Sequence, residues 1–243
     1  MESLEILGVR VDKVSYKDLL EQVDAFVASG HPHQIVTVNP EMILAACDDG
    51  AFQQVLNRSE LNVADGVGVT LAARWLGQPL PERVTGSDGI YRLAAHCAAR
   101  GYRPFLLGAA PGVAETAGQR LVERYPGLEV AGTYAGSPRL EEEDSIIARV
   151  RAVSPDLLLV AYGVPAEELW IARNRERLGV PVMVGVGGSF DFVAGVTQRA
   201  PPWMRRMGLE WLHRLAREPW RWRRQSVLPR YVALVLKQRI QDR

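Results

Sequence analysis

Short apolar runs recur along this chain with helical patterns between them, and that alternation restricts the possible folds more than any other feature. The runs are Gln34 to Val38, Leu61 to Ala64, Pro104 to Leu107, Leu128 to Gly132, Asp156 to Tyr162 and Val180 to Val186. Ser15 stands before a helix-period segment that ends at Gly30, Pro40 suits a first helical position, and Leu140 to Val153 has acidic residues in its first turn. Such alternation predicts an α/β fold: a mostly parallel sheet with helices on both faces. Ligands of open α/β sheets sit beyond the carboxyl ends of the strands. Asn39, Asp65, Gly108, Gly163 and Gly187 are all expected on that one rim.

The chain has 243 residues, 47% of them hydrophobic, enough for one sizeable core or a core with an appendage. Its apolar runs fall short of the ~20 residues of a spanning helix, and Met1 to Val11 carries acidic residues rather than a signal-peptide pattern. A cytoplasmic location is expected. Cys47 and Cys97 lie far apart in apolar helical patterns, which predicts two packed thiols and no disulfide framework. The four histidines show no HExxH spacing, and no Asp-x-Asp stands ready to hold a divalent ion against a diphosphate. No metal and no cofactor are expected.

The sheet pattern stops near Gly195, so residues 1–195 are read as the α/β core and 196–243 as a basic helical appendage. Residues 199–243 hold 12 Arg or Lys against 3 Asp or Glu, a net charge of +9, which leaves −8 on the body. Trp203, Trp211, Trp220 and Trp222 lie in the same stretch. Cationic and aromatic side chains mixed in this way suit an anionic membrane surface, and they also suit nucleic acid. Ser226 to Arg243 reads as a short amphipathic helix that lies either on a membrane or on the body.

The rim positions carry the chemistry. Asp65 follows a strand and precedes Gly66 at the mouth of a helix, where a carboxylate either caps the helix or serves as a base. Thr37 and Asn39 alternate along a strand end and face one side, as a sugar or phosphate pocket or as a packed Thr and an N-cap. GAAPG at Gly108 to Gly112 resembles a phosphate cradle but lacks the Lys-Ser or Lys-Thr of a nucleotide-hydrolase loop. The first strand, in LGVRVDKV, is not followed by GxGxxG, which argues against a nicotinamide dehydrogenase. Without a metal, phosphate charge falls to arginines and helix N-termini; Arg83, Arg199, Arg214, Arg221 and Arg224 are the candidates.

Seven motifs in order, VNPEM, VADGVGV, RVTGSD, LLGAAPGV, GVPAEELW, GVGGSFDFVAG and RAPPWMRRMGLEWLHRLAREPWRWRR, span nearly the whole chain. Together they resemble the WecG/TagA/CpsF family of bacterial glycosyltransferases, which add a sugar to a polyprenyl-diphosphate-linked acceptor during surface polysaccharide assembly. The resemblance implies a Rossmann-like core with a C-terminal helical appendage, and an inverting, metal-independent transfer from a UDP-sugar. It makes Asp65 the general base, with Thr37 and Asn39 around the donor sugar and Arg83 near the acceptor or its diphosphate. Arg214, Arg221 and Arg224 would close over the phosphates, and Gly108, Gly163, Gly187 and Gly188 would let UDP approach the backbone.

One position departs from the family pattern: Glu167 stands where members usually carry Gln. A carboxylate there loses amide donors and adds charge, so it should repel an anionic donor sugar. N-acetylmannosamine is the leading donor, with glucuronic acid and glucose as alternatives. The implied partners are a UDP-sugar, a polyprenyl-diphosphate-linked N-acetylglucosamine and the inner face of the cell membrane, with self-association open. A nucleic-acid-binding module using the basic tail is the reading from another class.

Overall fold

A computed structural model describes the chain except for residues 85, 202, 205, 206, 208, 218–221, 223–225, 242 and 243, and the side chain of residue 214. Strands β1 (Ser3–Ile6) and β2 (Val9–Asp12) form an antiparallel hairpin and are followed by α1 (Tyr16–Ser29) and β3 (His33–Val38). Next come α2 (Pro40–Asp48), α3 (Gly50–Arg58), β4 (Leu61–Ala64), α4 (Val67–Trp75), α5 (Gly86–Arg100) and β5 (Pro104–Gly108). Then follow α6 (Val113–Arg124), β6 (Gly132–Tyr134), α7 (Leu140–Val153), β7 (Leu157–Ala161), α8 (Ala166–Leu178), β8 (Val182–Gly185) and α9 (Ser189–Val193). Two helices are described beyond these, α10 (Glu210–Arg217) and α11 (Leu228–Gln241).

Strands β3 to β8 form one sheet in the order β4-β3-β8-β7-β5-β6, with every pairing parallel. Period-two alternation explains why it is covered on both faces. Ile35, Val63, Leu106, Leu159 and Val184 pack with α1, α5, α6 and α9, while their neighbours Val36, Ala64, Leu107, Leu158 and Met183 point to the opposite layer of helices. Connections that step toward the β4 edge carry α2, α3, α7 and α8 on one face. Those that step toward the β6 edge carry α5 and α6 on the other, as a constant right-handed crossover requires. The parallel sheet covered on both faces is the one the alternation predicts, and its Rossmann-like form is the one the resemblance implies.

Local chemistry sets the element ends. Ser15 and Asp18 form a reciprocal capping box at the start of α1, and Gly30 closes that helix with φ 68°. The expected strand at Leu128 to Gly132 is displaced: β6 begins where that run ends. Leu128 instead packs in the α5/α6 layer, and Gly132 pairs with Phe105, whose ring comes within 2.7 Å of where a β-carbon would stand. The segment LGVRVDKV does carry a strand, β2, but it turns back on β1 through Leu7 and Gly8, both at positive φ, in a two-stranded antiparallel sheet of its own rather than in the parallel sheet. Cys97 is packed as expected, and burial pushes its thiol up to about 12. Cys47 is exposed on the outward side of α2, against the expectation of two packed thiols.

Helix α11 lies on the body. Tyr231 and Val235 are buried in one apolar cluster with α2, α4 and the β1–β2 hairpin. Arg230 grips Asp48 with both terminal nitrogens at 2.7 and 2.8 Å, and Gln238 accepts from the Leu7 N–H and donates to the Glu5 carbonyl. Among the described residues no helix is long and apolar enough to cross a membrane.

Candidate active site

The carboxyl ends of β3, β4, β7 and β8 and the residues that follow them surround a cavity of about 530 Å³. Its wall is polar toward the sheet and apolar toward α4 and α11, where Leu71, Trp75, Leu228, Tyr231 and Val232 line it. Helices α2, α4, α5 and α9 all begin on this wall, so their first N–H groups and positive dipole ends point toward it. Neither α4 nor α9 has a side-chain cap.

Asp65 stands at the centre of the polar side. Its own N–H donates to the Val38 carbonyl at 2.7 Å, extending the β3–β4 ladder by one residue and fixing where the side chain projects. The capping alternative is not realised, because Gly66 is the N-cap of α4 and no side chain bonds there. Instead the N–H of Gly86, the first residue of α5, donates to the Asp65 carboxylate. A β-carbon built on Gly86 would lie 3.7 Å from Asp65 Oδ2 and Thr37 Oγ1 and 3.9 Å from Ser189 Oγ, so side-chain oxygens from β3, the β4–α4 turn and the start of α9 converge there.

Although part of its surface opens on the cavity, the Asp65 carboxyl is embedded in protein, and this desolvation pushes its pKa up to about 7. The Gly86 N–H works against the shift, the charge of Glu210 adds to it, Arg83 opposes it and Asp88 adds to it. A carboxyl that exchanges its proton near neutral pH, on a wall open to small molecules, has the properties of a general base.

The other expected residues divide into three groups. Thr37, Asn39, Arg83, Glu167, Gly163, Gly187 and Gly188 all line the cavity. Thr37 donates to the Gly185 carbonyl at 3.2 Å. Asn39 caps α2, its Oδ1 accepting from the Met42 N–H at 3.0 Å, and the residue also lines the cavity. Glu167 is buried, and its Oε2 accepts from the N–H groups of Gly163 at 2.9 Å and Gly187 at 3.1 Å, tying the loops after β7 and β8 together.

Gly108 forms the second group. It ends β5, which β8 and β7 separate from β3, and does not line the cavity. Its φ of 106° and the Ala161 backbone 2.7 Å from a would-be β-carbon account for the glycine by packing alone. In the third group, Arg221 and Arg224 lie outside the described residues, and of Arg214 only the backbone, within α10, is described. Arg199, another phosphate candidate, is engaged by the protein itself through Ser87, Asp88 and Glu210.

Several wall residues carried no assignment from sequence. Ser189 and Glu41 stand inside recognised motifs, GGSF and NPEM, so their place on the rim was legible although their roles were not. Ser87 follows from the start of α5 in the same way. Glu210 and Trp211 reach the cavity only because α10 returns to it, and nothing local in the sequence signals that. Beneath the floor, Glu168 Oε2 accepts from Gln34 Nε2 at 2.8 Å, while its Oε1 is buried with no hydrogen-bond partner among the described residues. Burial, and then the charge of Glu167, push Glu168 well above the usual carboxylate range.

Comparison with known proteins agrees with this geometry. Residues 4–243 match the glycosyl transferase WecG/TagA/CpsF family. An N-acetylglucosaminyldiphosphoundecaprenol N-acetyl-beta-D-mannosaminyltransferase of Bacillus spizizenii is 36% identical over 203 residues, 84% of this chain and 78% of that protein. The Bacillus subtilis protein of the same name is 35% identical over 204 residues, 84% and 79% of the two chains. That of Staphylococcus aureus strain NCTC 8325 is 34% identical over 213 residues, 87% and 83%. The chain belongs to the WecG/TagA/CpsF family of glycosyltransferases.

Proposed function

We propose that the chain transfers N-acetylmannosamine from UDP-N-acetylmannosamine to a polyprenyl-diphosphate-linked N-acetylglucosamine, with inversion, without a metal ion, and with Asp65 as the general base. The observation that carries this reading is a carboxyl with a pKa of about 7 on the wall of the rim cavity, bonded by the N–H of Gly86 and grouped with Thr37 and Ser189. The relatives' names supply the sugar and the acceptor.

In the reaction, Asp65 takes the proton of the acceptor hydroxyl as that oxygen bonds to the anomeric carbon. The bond from this carbon to the UDP oxygen breaks, and its electron pair leaves on the diphosphate. A single displacement of this kind inverts the anomeric centre. Negative charge that grows on UDP is met by Arg83 and by the helix N-termini that open on the cavity. Thr37 and the amide of Asn39 hold sugar hydroxyls, and the loops tied by Glu167 offer close backbone approach. Glu41, Glu167 and Glu210 place carboxylates on the wall, which disfavours a glucuronic acid donor relative to a neutral one.

The apolar wall formed by α4 and α11 suits the first isoprene units of the acceptor. Exposed Trp203, Met207, Trp211, Leu212 and Trp222 give the basic region an apolar surface for the inner face of the membrane. The test is transfer from a panel of UDP-sugars to a short-chain polyprenyl-diphosphate N-acetylglucosamine with EDTA present, beside Asp65→Asn. The reading requires transfer that survives EDTA and is lost in the variant. UDP binding without transfer from any donor would refute the acceptor, and near-normal turnover by Asp65→Asn would refute the base.

A further inference from the structure

Arg83 before α5, Asp88 in its first turn and Glu210 of α10 act on Asp65, and Glu41 of α2 and Glu167 of α8 line the same cavity. Glu210 differs from the others because a tie to one arginine connects it to the body. Arg199 Nε lies 3.5 Å from Glu210 Oε1, while Nη2 of the same guanidinium lies 2.8 Å from Asp88 Oδ1 and donates to Ser87 Oγ at 3.2 Å. Ser87 and Asp88 directly follow Gly86, whose N–H holds the Asp65 carboxylate. Arg199 therefore connects α10 to the turn that positions Asp65.

This connection is not a loose surface ion pair. The Arg199 side chain is only 16% exposed, and its guanidinium lies 5.8 and 5.9 Å from the ring centres of Tyr91 and Phe192. Burial works against its charge, but the hydrogen bond and charge of Asp88 and then the charge of Glu210 more than restore it, so the cation persists. Glu210 gives this largely buried cation a second carboxylate beside Asp88, which favours α10 in the seated position. Glu210 and Trp211 then stand on the cavity wall.

We propose that Glu210 is a positioning residue that couples the seating of α10 to the strength of the base at Asp65, with Arg199 as the tie. With α10 seated, a second carboxylate faces the same enclosed space and makes Asp65 bind its proton more tightly; with α10 away, that contribution is lost. A stronger base accepts the acceptor proton more readily, so transfer is favoured when the cavity is closed and water is displaced. The inference rests on the reading of Asp65 as the base.

The test uses the full chain labelled with 13C-carboxyl aspartate, the Asp65 resonance being the one absent from Asp65→Asn. Its titration is followed in the native chain and in Glu210→Gln, beside the pH dependence of kcat/KM. The expected result is a fall of about 0.5–1 pH unit in the Asp65 midpoint, with the acidic limb of kcat/KM moving by the same amount. An unmoved midpoint and limb would overturn the proposal. A midpoint that moves while Asp65→Asn retains transfer would leave the coupling standing and overturn the base itself.

Discussion

Two strand-to-helix turns look alike in sequence, Ala64 to Gly68 (ADGVG) and Gly108 to Gly112 (GAAPG), yet only the first lies in the cavity. Both use glycines at positive φ, 86° at Gly66 and 106° at Gly108. The surroundings differ. Among the described residues nothing lies within 4 Å of a β-carbon built on Gly66, whereas at Gly108 the Ala161 backbone is 2.7 Å away. A glycine that leaves space and a glycine that fills it give the same letter. Strand order separates them, because β4 ends beside β3, whereas β8 and β7 lie between β3 and β5.

The sharpest way to break this contrast is at Asp65, which the open turn carries. Asp65→Asn should cut transfer ~100-fold or more, and in the native chain kcat/KM should rise with pH through about 7 as the carboxyl loses its proton. Turnover of the variant above a tenth of native would count against the open turn as the reactive one. Gly108→Ala should have the opposite signature: a loss of ~2–4 kcal/mol in urea unfolding from backbone clash and strain, with kcat/KM per folded molecule unchanged. Gly66→Ala tests the open turn more gently. It should cost ~1 kcal/mol in stability and raise the donor KM severalfold, because the added methyl group occupies empty space.

The smallest effect concerns Gly185, where the space belongs to a side chain rather than to a ligand or a neighbouring strand, since Glu168 Oε1 fills it. Burial raises the folded-state pKa of Glu168 above its ordinary 4.5, so the stability tied to its proton is full below that value and declines as pH rises through the folded-state pKa. Glu168→Gln removes the dependence. Its melting temperature should exceed that of the native chain by ~2–4 °C at pH 8 and converge with it near pH 4. Parallel melting curves across that range would show that Glu168 is not protonated on folding.

The same reasoning explains what the sequence disclosed. Hydrophobic periodicity and caps are local, so β3, β4, β5, β7, β8, α1 and α7 are legible close to their observed bounds. Periodicity misleads at Leu128 to Gly132 because Leu128 is apolar for the sake of the helix layer, whereas β6 pairs through the residues that follow. At the site, Thr37, Asn39, Asp65 and the glycines after β7 and β8 are legible because the parallel-sheet rule collects strand ends. Arg199 and Glu210 are not, since their partnership depends on the path of the chain after the sheet is complete. Glu167 was legible as a departure from the family pattern, but its bonds to Gly163 and Gly187 depend on two loops meeting in space.

Helix α11 also bears on synthesis. Tyr231 and Val235 are buried against a cluster that already includes Leu4, Ile6, Val9 and Val11, and Gln238 holds the backbone of the first hairpin. The interval between these partners is nearly the whole chain, a closure with the slow kinetics of high contact order. On the ribosome, the part of this apolar cluster that α11 covers stays uncovered until residues 228–241 have emerged. Chaperones and proteases can reach it throughout that interval, and the docking of α11 removes it from their reach.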